Sequence, residues 1–293
     1  MSILSRLQRR MTQGAMAHSA SVAAILDATL QLELSREMDR LQRDLRSSMP
    51  ENPAARGYKV YSQCDEDGIL EDICARLALR NGVFVEVGCG DGRENNTHYL
   101  LLKGWRGVWI DADASNMKAL RLALPTSSRL HLIEASVTRE NVLPLLQPAL
   151  EALDCSPDVV SIDVDGNDLA IALNIAAALR PKVIVGEYNA KFPYPMVAEI
   201  TYHPQQKWMG DDYHGASLAA WVQRFESDYQ LVSCNLAGTN AFFVQKQYMD
   251  RFGLYSPEQL YQPARFHLTA LRAGHAPSLG YLKQVLADRG ASR

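Results

Sequence analysis

Acidic side chains stand at the ends of four short apolar segments of this chain. The four acids are Glu86, Asp111, Asp163 and Glu187. A buried carboxylate without a partner is costly, so core packing does not explain the whole set. In open α/β sheets, ligands bind beyond the carboxyl ends of the parallel strands. We therefore expect the four acids to meet at one edge of a sheet and to form a binding site.

A glycine-rich turn follows the first of these segments, at Gly88, Gly90 and Gly92. Such a turn lets a nucleotide-containing cofactor approach bare backbone. A dinucleotide-binding fingerprint has glycines at its first, third and sixth positions, and Arg93 stands at the sixth. The spacing is therefore unfavourable for NAD.

The charge around this turn also separates the candidate cofactors. Glu86, Asp91 and Glu94 surround the turn, which disfavours a doubly charged diphosphate. The acids suit a cofactor that carries a cationic amino group and a sulfonium. Asp111, after the second apolar segment, can accept hydrogen bonds from both hydroxyls of a ribose.

A second acidic cluster follows the fourth segment, where Asp163, Asp165 and Asp168 lie within six residues. Asp168 fits a helix N-cap, whereas the other two have no such simple role. Glu187 and Asn189 lie at the end of the next segment, and oxygen ligands of this kind suit Mg²⁺ or Ca²⁺. We expect Asp163, Glu187 and Asn189 to bind a divalent metal. Asp165 would then be a base or a fourth ligand.

The elements that must position these residues alternate between strands and helices. Strands are predicted over residues 83–87, 107–110, 130–133, 159–162 and 183–186, and helices over 69–77, 96–102 and 169–179. Short apolar strands separated by helices indicate a parallel sheet that is covered on both faces. Residues 230–234 and 241–244 flank a turn with Gly238 and predict a closing antiparallel hairpin.

Composition narrows the class of protein. The chain has 293 residues, a hydrophobic fraction of 47%, a charged fraction of 22% and a net charge of −3. These values are ordinary for a globular protein and give no global field that favours nucleic acid. Five irregularly spaced cysteines without a CxxC pair predict a reducing cytoplasm rather than a disulfide framework. We expect no signal peptide and no membrane span.

Residues 84–92 resemble the first motif of class I S-adenosylmethionine-dependent methyltransferases. Residues 61–68, with the sequence YSQCDEDG, resemble the opening motif of FkbM-type methyltransferases, and residues 95–97 and 104–107 continue that pattern. The resemblance covers about residues 58–246. It implies a Rossmann-like class I methyltransferase fold with a seven-stranded, mostly parallel sheet and a closing antiparallel hairpin. It also implies S-adenosylmethionine as the cofactor.

The resemblance assigns roles to individual residues. By it, Glu86 orients the methionine end of the cofactor and Asp111 holds its ribose. Ser136 lies near the adenine. The complete set of cofactor-binding residues that it implies is Ser62, Gln63, Glu86, Gly88, Gly90, Asn96, Asp111, Ser136 and Asp163.

The acceptor is predicted from a long insertion before the hairpin, residues 188–214, in which aromatic residues, acids and histidines are interleaved. The acidic motifs resemble those of metal-dependent sugar O-methyltransferases. A sugar or glycan hydroxyl is therefore the expected acceptor, with Asp163, Asp165 or His214 as the base that takes its proton. Another small molecule or a peptide stays open as the acceptor. An NAD-dependent oxidoreductase and a non-catalytic partner module stay as alternative functions of the protein.

The two ends of the chain differ from the middle. In residues 1–55, one helical stripe is formed by Leu34, Met38, Leu41 and Leu45. Two interpretations stay open: the helix packs on its own core, or it is an arm that forms a homo-oligomer. Residues 56–250 are the predicted catalytic domain, and residues 251–293 are a predicted C-terminal helical extension.

Overall fold

The structure is a computed structural model that describes the backbone of residues 3–287 and the side chains of residues 20–287. The first two residues and the last six lie outside the described residues. The prediction about a signal peptide concerns the first of these residues, and the predicted C-terminal helical extension ends in the last of them. Both predictions therefore lie partly outside the described residues. Among the described residues, none of the helices combines the length and apolar character that a bilayer-spanning segment needs.

A seven-stranded sheet forms the centre of the described residues. Its strands are β1 (Val83–Val87), β2 (Arg106–Asp111), β3 (Leu130–Glu134), β4 (Val159–Ile162), β5 (Val183–Glu187), β6 (Tyr229–Cys234) and β7 (Asn240–Gln245). They lie in the order β3-β2-β1-β4-β5-β7-β6. The first five are parallel, and β7 is antiparallel to both β5 and β6. The predicted Rossmann-like class I methyltransferase fold, with its closing hairpin, is confirmed.

Helices cover both faces of the sheet. Within residues 3–287 they are α1 (Ile3–Ser48), α2 (Glu66–Arg76), α3 (His98–Leu102), α4 (Ala114–Ala123), α5 (Val142–Leu153), α6 (Asp168–Leu179), α7 (Leu218–Phe225), α8 (Pro257–Leu260) and α9 (Gly280–Ala287). Short 3₁₀ helices occupy Pro53–Arg56, Lys246–Arg251 and Phe266–Ala270. The three helices predicted within the sheet region correspond to α2, α3 and α6.

Side chains of each strand alternate between two apolar clusters, one on each face of the sheet. In β1, Phe84 belongs to the cluster that contains residues of α2 and α3, while Val85 belongs to the cluster that contains residues of α5 and α6. Trp109 and Val108 divide in the same way in β2. Both faces are buried, which explains why the strands read as continuous apolar runs in the sequence.

The predicted stripe of α1 packs on the core of the same chain. Leu34, Met38 and Leu45 are buried, and Leu41 packs against the same cluster. The interpretation of a helix packed on its own core is therefore confirmed for this stripe. Self-association through α1 would have to use other side chains of this helix.

The C-terminal extension is less helical than predicted. Between α8 and α9 the backbone is largely irregular, because Pro263 and Pro277 interrupt regular helix. Leu268 and Leu282 are fully buried in the cluster that also contains the stripe of α1. The extension therefore covers one face of the sheet.

Candidate active site

The carboxyl ends of β1, β2, β4 and β5 reach one edge of the sheet. The register pairs Val87 with Ile110 and Ile162, and it pairs Ile162 with Gly186. The residues that follow these positions are Gly88, Asp111, Asp163 and Glu187. The register therefore brings the glycine-rich turn beside three of the four predicted acids.

Gly88 is required where β1 meets β4. Its φ is +89°, and a Cβ atom there would lie 1.7 Å from the carbonyl oxygen of Asp163. Its N–H donates to the carbonyl of Ile110 at 2.8 Å. Gly90 differs, since among the described residues nothing lies within 4 Å of its would-be Cβ atom. Gly88 thus permits close backbone packing, and Gly90 leaves open space.

Asp111 lines a cavity of about 460 Å³, together with Gly88, Ser136 and Asp163. One of its carboxylate oxygens accepts from the Gly90 N–H at 2.7 Å, and the other accepts from the Asp113 N–H at 2.8 Å. Each oxygen keeps capacity for a further hydrogen bond. The carboxylate is thereby oriented and still able to accept from hydroxyl groups of a ligand.

Three carboxylates meet at the sheet edge. Asp163, Asp165 and Glu187 each contribute one oxygen atom to a group in which the oxygens lie within 4.8 Å of one another. The φ of Asp165 is +54°, a left-handed backbone that residues other than glycine rarely adopt. Oxygen ligands at this spacing suit a hard divalent cation such as Mg²⁺ or Ca²⁺.

Asp168 holds the turn that carries this group. α6 begins at Asp168, and its carboxylate accepts from the N–H groups of Val164 and Gly166, each at 2.8 Å. The N-cap is Asn167, so the predicted cap at Asp168 is off by one residue, and the Asp168 carboxylate instead holds the turn before the helix. Burial raises the pKa of Asp168 to about 6.

Burial, and then the proximity of the acids to one another, raises their pKa values. The pKa of Asp163 rises to about 7, first because surrounding protein partly removes the carboxylate from water and then because Asp168 and Asp165 lie close. The pKa of Glu187 is raised by burial and then by Asp163. A cation among these carboxylates would offset their repulsion.

A second cavity, of about 250 Å³, adjoins the first, and Asp163, Asp165 and Trp208 line both. Glu187 and His214 line the second cavity. The ring centroid of His214 lies 5.6 Å from that of Trp208. Burial lowers the pKa of His214, which keeps the imidazole neutral at neutral pH. Ligands in the two cavities would meet beside the carboxylate group.

Glu86 and Asn96 hold a loop and are not in the lining of the two cavities, and their expected role in cofactor binding stays a prediction. Glu86 is buried and accepts from the N–H groups of Asn96 at 2.8 Å and Thr97 at 3.1 Å, and from the Thr97 hydroxyl. The Asn96 amide donates to the Ser161 hydroxyl at 3.0 Å. Burial raises the pKa of Glu86 to about 7.

Ser62 and Gln63 lie in the loop before α2, and their expected role in cofactor binding also stays a prediction. Ser62 is buried, and its hydroxyl accepts from the Asp67 N–H at 3.1 Å. One oxygen of Asp67 accepts in turn from three successive N–H groups of residues 60–62 at 2.6–2.8 Å. Ser62 therefore shapes its loop. Gln63 is exposed and lines the second cavity, on the side of Glu187 and His214.

Asn189 fixes the loop beside the second cavity. Its amide donates to the carbonyls of Asp212 at 3.0 Å and His214 at 3.1 Å, and its side-chain oxygen accepts from the Lys191 N–H at 3.2 Å. These bonds hold the loop, and the expected role of Asn189 as a metal ligand stays a prediction. Asp165 joins Asp163 and Glu187 in the carboxylate group.

Phe266 and Thr269 line the second cavity although the sequence analysis did not single them out. They come from the C-terminal extension, and no local pattern marks them, because only long-range packing brings that segment to the sheet edge. Asn240 is a different case. It lines the same cavity, as its place beside the predicted hairpin turn indicates, and it pairs with Glu187 in the antiparallel register of β5 and β7.

No family model matches the chain, and no curated protein matches it. Among solved structures, a TehB-like S-adenosylmethionine-dependent methyltransferase from Corynebacterium glutamicum is 16% identical, with 73% of this chain and 99% of that chain covered and a TM-score of 0.36. An O-methyltransferase from Bacillus cereus in complex with S-adenosylhomocysteine is 14% identical, with 73% and 91% covered and a TM-score of 0.38.

The O-methyltransferase TomG from Streptomyces achromogenes, in complex with S-adenosylmethionine, is 18% identical, with 60% of this chain and 78% of that chain covered and a TM-score of 0.36. At these identities and TM-scores the similarities carry no argument about what this chain does. Its function has to be inferred from the residues at the edge of its own sheet.

Proposed function

We propose that the protein is an S-adenosylmethionine-dependent O-methyltransferase that acts on a sugar or glycan hydroxyl. The observation that carries the proposal is the junction of the two cavities. The 460 Å³ cavity and the 250 Å³ cavity share Asp163, Asp165 and Trp208. Direct methyl transfer needs a donor and an acceptor held in line at close range, and two adjoining cavities would place the two ligands side by side.

The first cavity suits the cofactor. Asp111 is oriented by backbone and can accept from ribose hydroxyls, while Gly88 leaves the surface free of a side chain. Ser136 lies further along the same wall. Asp163 and Asp165 favour a cationic sulfonium and amino group over a diphosphate. Bound S-adenosylmethionine supplies an electrophilic methyl group on its sulfonium.

The carboxylate group suits a divalent metal. Asp163, Asp165 and Glu187 would hold the cation, and their spacing supports such a site. A bound cation would lower the pKa of an acceptor hydroxyl and fix its direction.

His214 is the base that the geometry supports best once Asp165 is assigned to the metal. It lines the second cavity with Glu187, and its lowered pKa leaves it free to accept a proton. It would take the proton of the acceptor hydroxyl as the oxygen forms its bond to the methyl carbon. The carbon–sulfur bond breaks in the same step, and its electron pair stays on sulfur.

Calorimetry with S-adenosylmethionine and with NAD tests the cofactor, and we expect the first to bind and the second not to. A mass-spectrometric screen with isotope-labelled cofactor then tests the acceptor among nucleotide sugars, glycans, phenols and peptides. Label transfer to a sugar supports the proposal, including the FkbM-type resemblance and a role in surface-polysaccharide or natural-product synthesis. Transfer of the label to a peptide or a phenol would show that the acceptor is not a sugar. Binding of NAD without binding of S-adenosylmethionine would overturn the proposal.

We further propose that a second copy of the chain packs on α1. The part of the helix that precedes the buried stripe exposes several apolar side chains to solvent, namely Val22, Ile25, Leu26, Leu30 and Leu32. Ile25 is 66% exposed and Leu32 is 50% exposed, and they are seven residues apart, a spacing typical of a helix–helix seam. These residues would pair with the same residues of the partner.

A further inference from the structure

Two exposed aromatic side chains line the second cavity. Trp208, 48% exposed, comes from the loop before α7, and Phe266, 55% exposed, comes from the C-terminal extension. Exposed apolar side chains that are grouped at one cleft, unlike single scattered ones, are typical of ligand-binding surfaces. The polar lining beside them includes Gln63, Thr239 and Asn240.

The ring of Trp208 is held in place from its polar edge. Its indole N–H donates to the carbonyl of Asp211 at 2.6 Å. Its ring lies beside that of His214, at 5.6 Å between centroids and an angle of 55°. The indole is thereby oriented while much of its apolar surface stays open.

Phe266 is held by the segment around it. It begins the 3₁₀ helix Phe266–Ala270, whose Leu268 is fully buried. The preceding Arg265 donates its N–H to the carbonyl of Ala237 at 2.8 Å, in the turn between β6 and β7. At the other end, Gln31 of α1 donates to the carbonyl of Ala270 at 3.0 Å. Three parts of the fold therefore fix the backbone segment that carries this exposed aromatic ring.

We propose that Trp208 and Phe266 bind the apolar C–H face of a pyranose ring and thereby select cyclic sugars over flexible polyols. A pyranose has one rigid face of C–H groups and a rim of hydroxyls. Aromatic rings match the face, while Gln63, Asn240 and the carboxylates match the rim. A linear polyol offers the same hydroxyls without the face. The inference rests on the proposed function, whose acceptor it specifies.

The fluorescence of Trp208 can report the binding of a ligand in the second cavity. The chain has four tryptophans, and the other three, Trp105, Trp109 and Trp221, are at most 3% exposed. Quenching of tryptophan fluorescence by acrylamide, a neutral quencher, therefore reports on Trp208, and Trp208→Phe gives the background. The probes are the methyl glycosides of glucose, galactose, mannose and rhamnose, with sorbitol as the acyclic control, each measured with and without saturating S-adenosylmethionine.

We expect at least one glycoside to protect Trp208 from acrylamide and sorbitol to give no protection. Phe266→Ala should weaken that protection roughly threefold to tenfold, and Phe266→Tyr should keep it within about twofold, because the aromatic face is retained. The affinity for S-adenosylmethionine, measured by calorimetry, should be unchanged in both variants. Protection by none of the four glycosides, equal protection by sorbitol, or no effect of Phe266→Ala would overturn the inference.

Failure of the proposed function gives a different result. If the wild-type protein neither binds the cofactor nor transfers a methyl group, the proposed function fails, whereas a glycoside can still protect Trp208 from acrylamide. Methyl transfer to a sugar without protection of Trp208 retains the proposed function and removes this inference.

Discussion

A Cβ atom on Gly88 would lie 1.7 Å from the carbonyl oxygen of Asp163. The two residues follow β1 and β4, which are neighbours in the sheet. The glycine-rich turn and the acidic turn therefore pack backbone against backbone. A change at one must displace the other, since a packed interior does not yield easily.

Alanine at position 88 tests this contact. We expect Gly88→Ala to lower the free energy of unfolding by about 3 kcal/mol or more, because overpacking adds to the strain of a φ of +89°. Gly90→Ala is the matched control, with a φ of +55° and open space around it. Its loss should be about 1–2 kcal/mol. Urea denaturation measures both values, and equal losses would contradict the role given to the contact.

Asp111 is predicted to carry much of the affinity for the cofactor. We expect Asp111→Asn to weaken S-adenosylmethionine binding about tenfold to a hundredfold, because it removes charge-assisted hydrogen bonds to the ribose. The control is Asp113→Asn, since Asp113 is exposed and caps α4. Calorimetry should find the affinity of that variant unchanged. A similar loss in both variants would indicate a general effect on the loop.

The carboxylate group is predicted to bind Mn²⁺, a spectroscopic substitute for Mg²⁺. We expect Glu187→Gln to weaken Mn²⁺ binding at least about tenfold in an electron paramagnetic resonance titration, and to leave cofactor affinity intact. Asp211→Asn is the control, because Asp211 lies in the neighbouring loop and outside the carboxylate group. A wild-type protein that binds no Mn²⁺ would remove the metal from the proposed function.

Burial of Glu86 predicts a dependence of stability on pH. Because its pKa in the folded protein is about 7, above the ordinary value of 4.5, the folded state holds a proton that the unfolded state has lost. Stability should therefore fall as pH rises from about 4.5 to 7, by roughly 3 kcal/mol from this group.

Glu86→Gln should flatten that decline, and buried Asp65 and Asp168 keep part of it because burial raises their pKa values as well. The control is Glu134→Gln, since the Glu134 side chain is 40% exposed and paired with Arg121. Urea denaturation at pH 5 and pH 8 gives the difference. A slope that Glu86→Gln leaves unchanged would contradict the assignment.

The exposed apolar side chains of α1, which include Ile25 and Leu32 and precede its buried stripe, predict self-association. Light scattering after size-exclusion chromatography should give a dimer for the wild-type protein and a monomer for the double variant Ile25→Ser, Leu32→Ser. Leu122→Ser is the control, since Leu122 is 79% exposed and belongs to a different helix, α4. A monomeric wild-type protein, or a dimer in all variants, would contradict the role of the exposed side chains of α1.

Several features of this protein could be predicted from its sequence because they depend on local pattern and on one rule of sheet geometry. Apolar strand runs, the glycine turn at Gly88 and the hairpin around Gly238 all signal their own conformation. Parallel strands then bring their carboxyl ends together, which places Asp111, Asp163 and Glu187 at one edge. The fold and the position of the candidate site follow from those two steps.

Other features were decided by the tertiary structure alone, because the direction of a side chain depends on the partners that distant segments supply. Glu86 stands beside the candidate site in sequence, yet the N–H groups of Asn96 and Thr97 turn it into a support for a loop. Phe266 carries no local signal, yet the packing of the C-terminal extension brings it to the second cavity. Sequence periodicity marked the stripe of α1 as apolar, and only packing determined that the core of the same chain buries it.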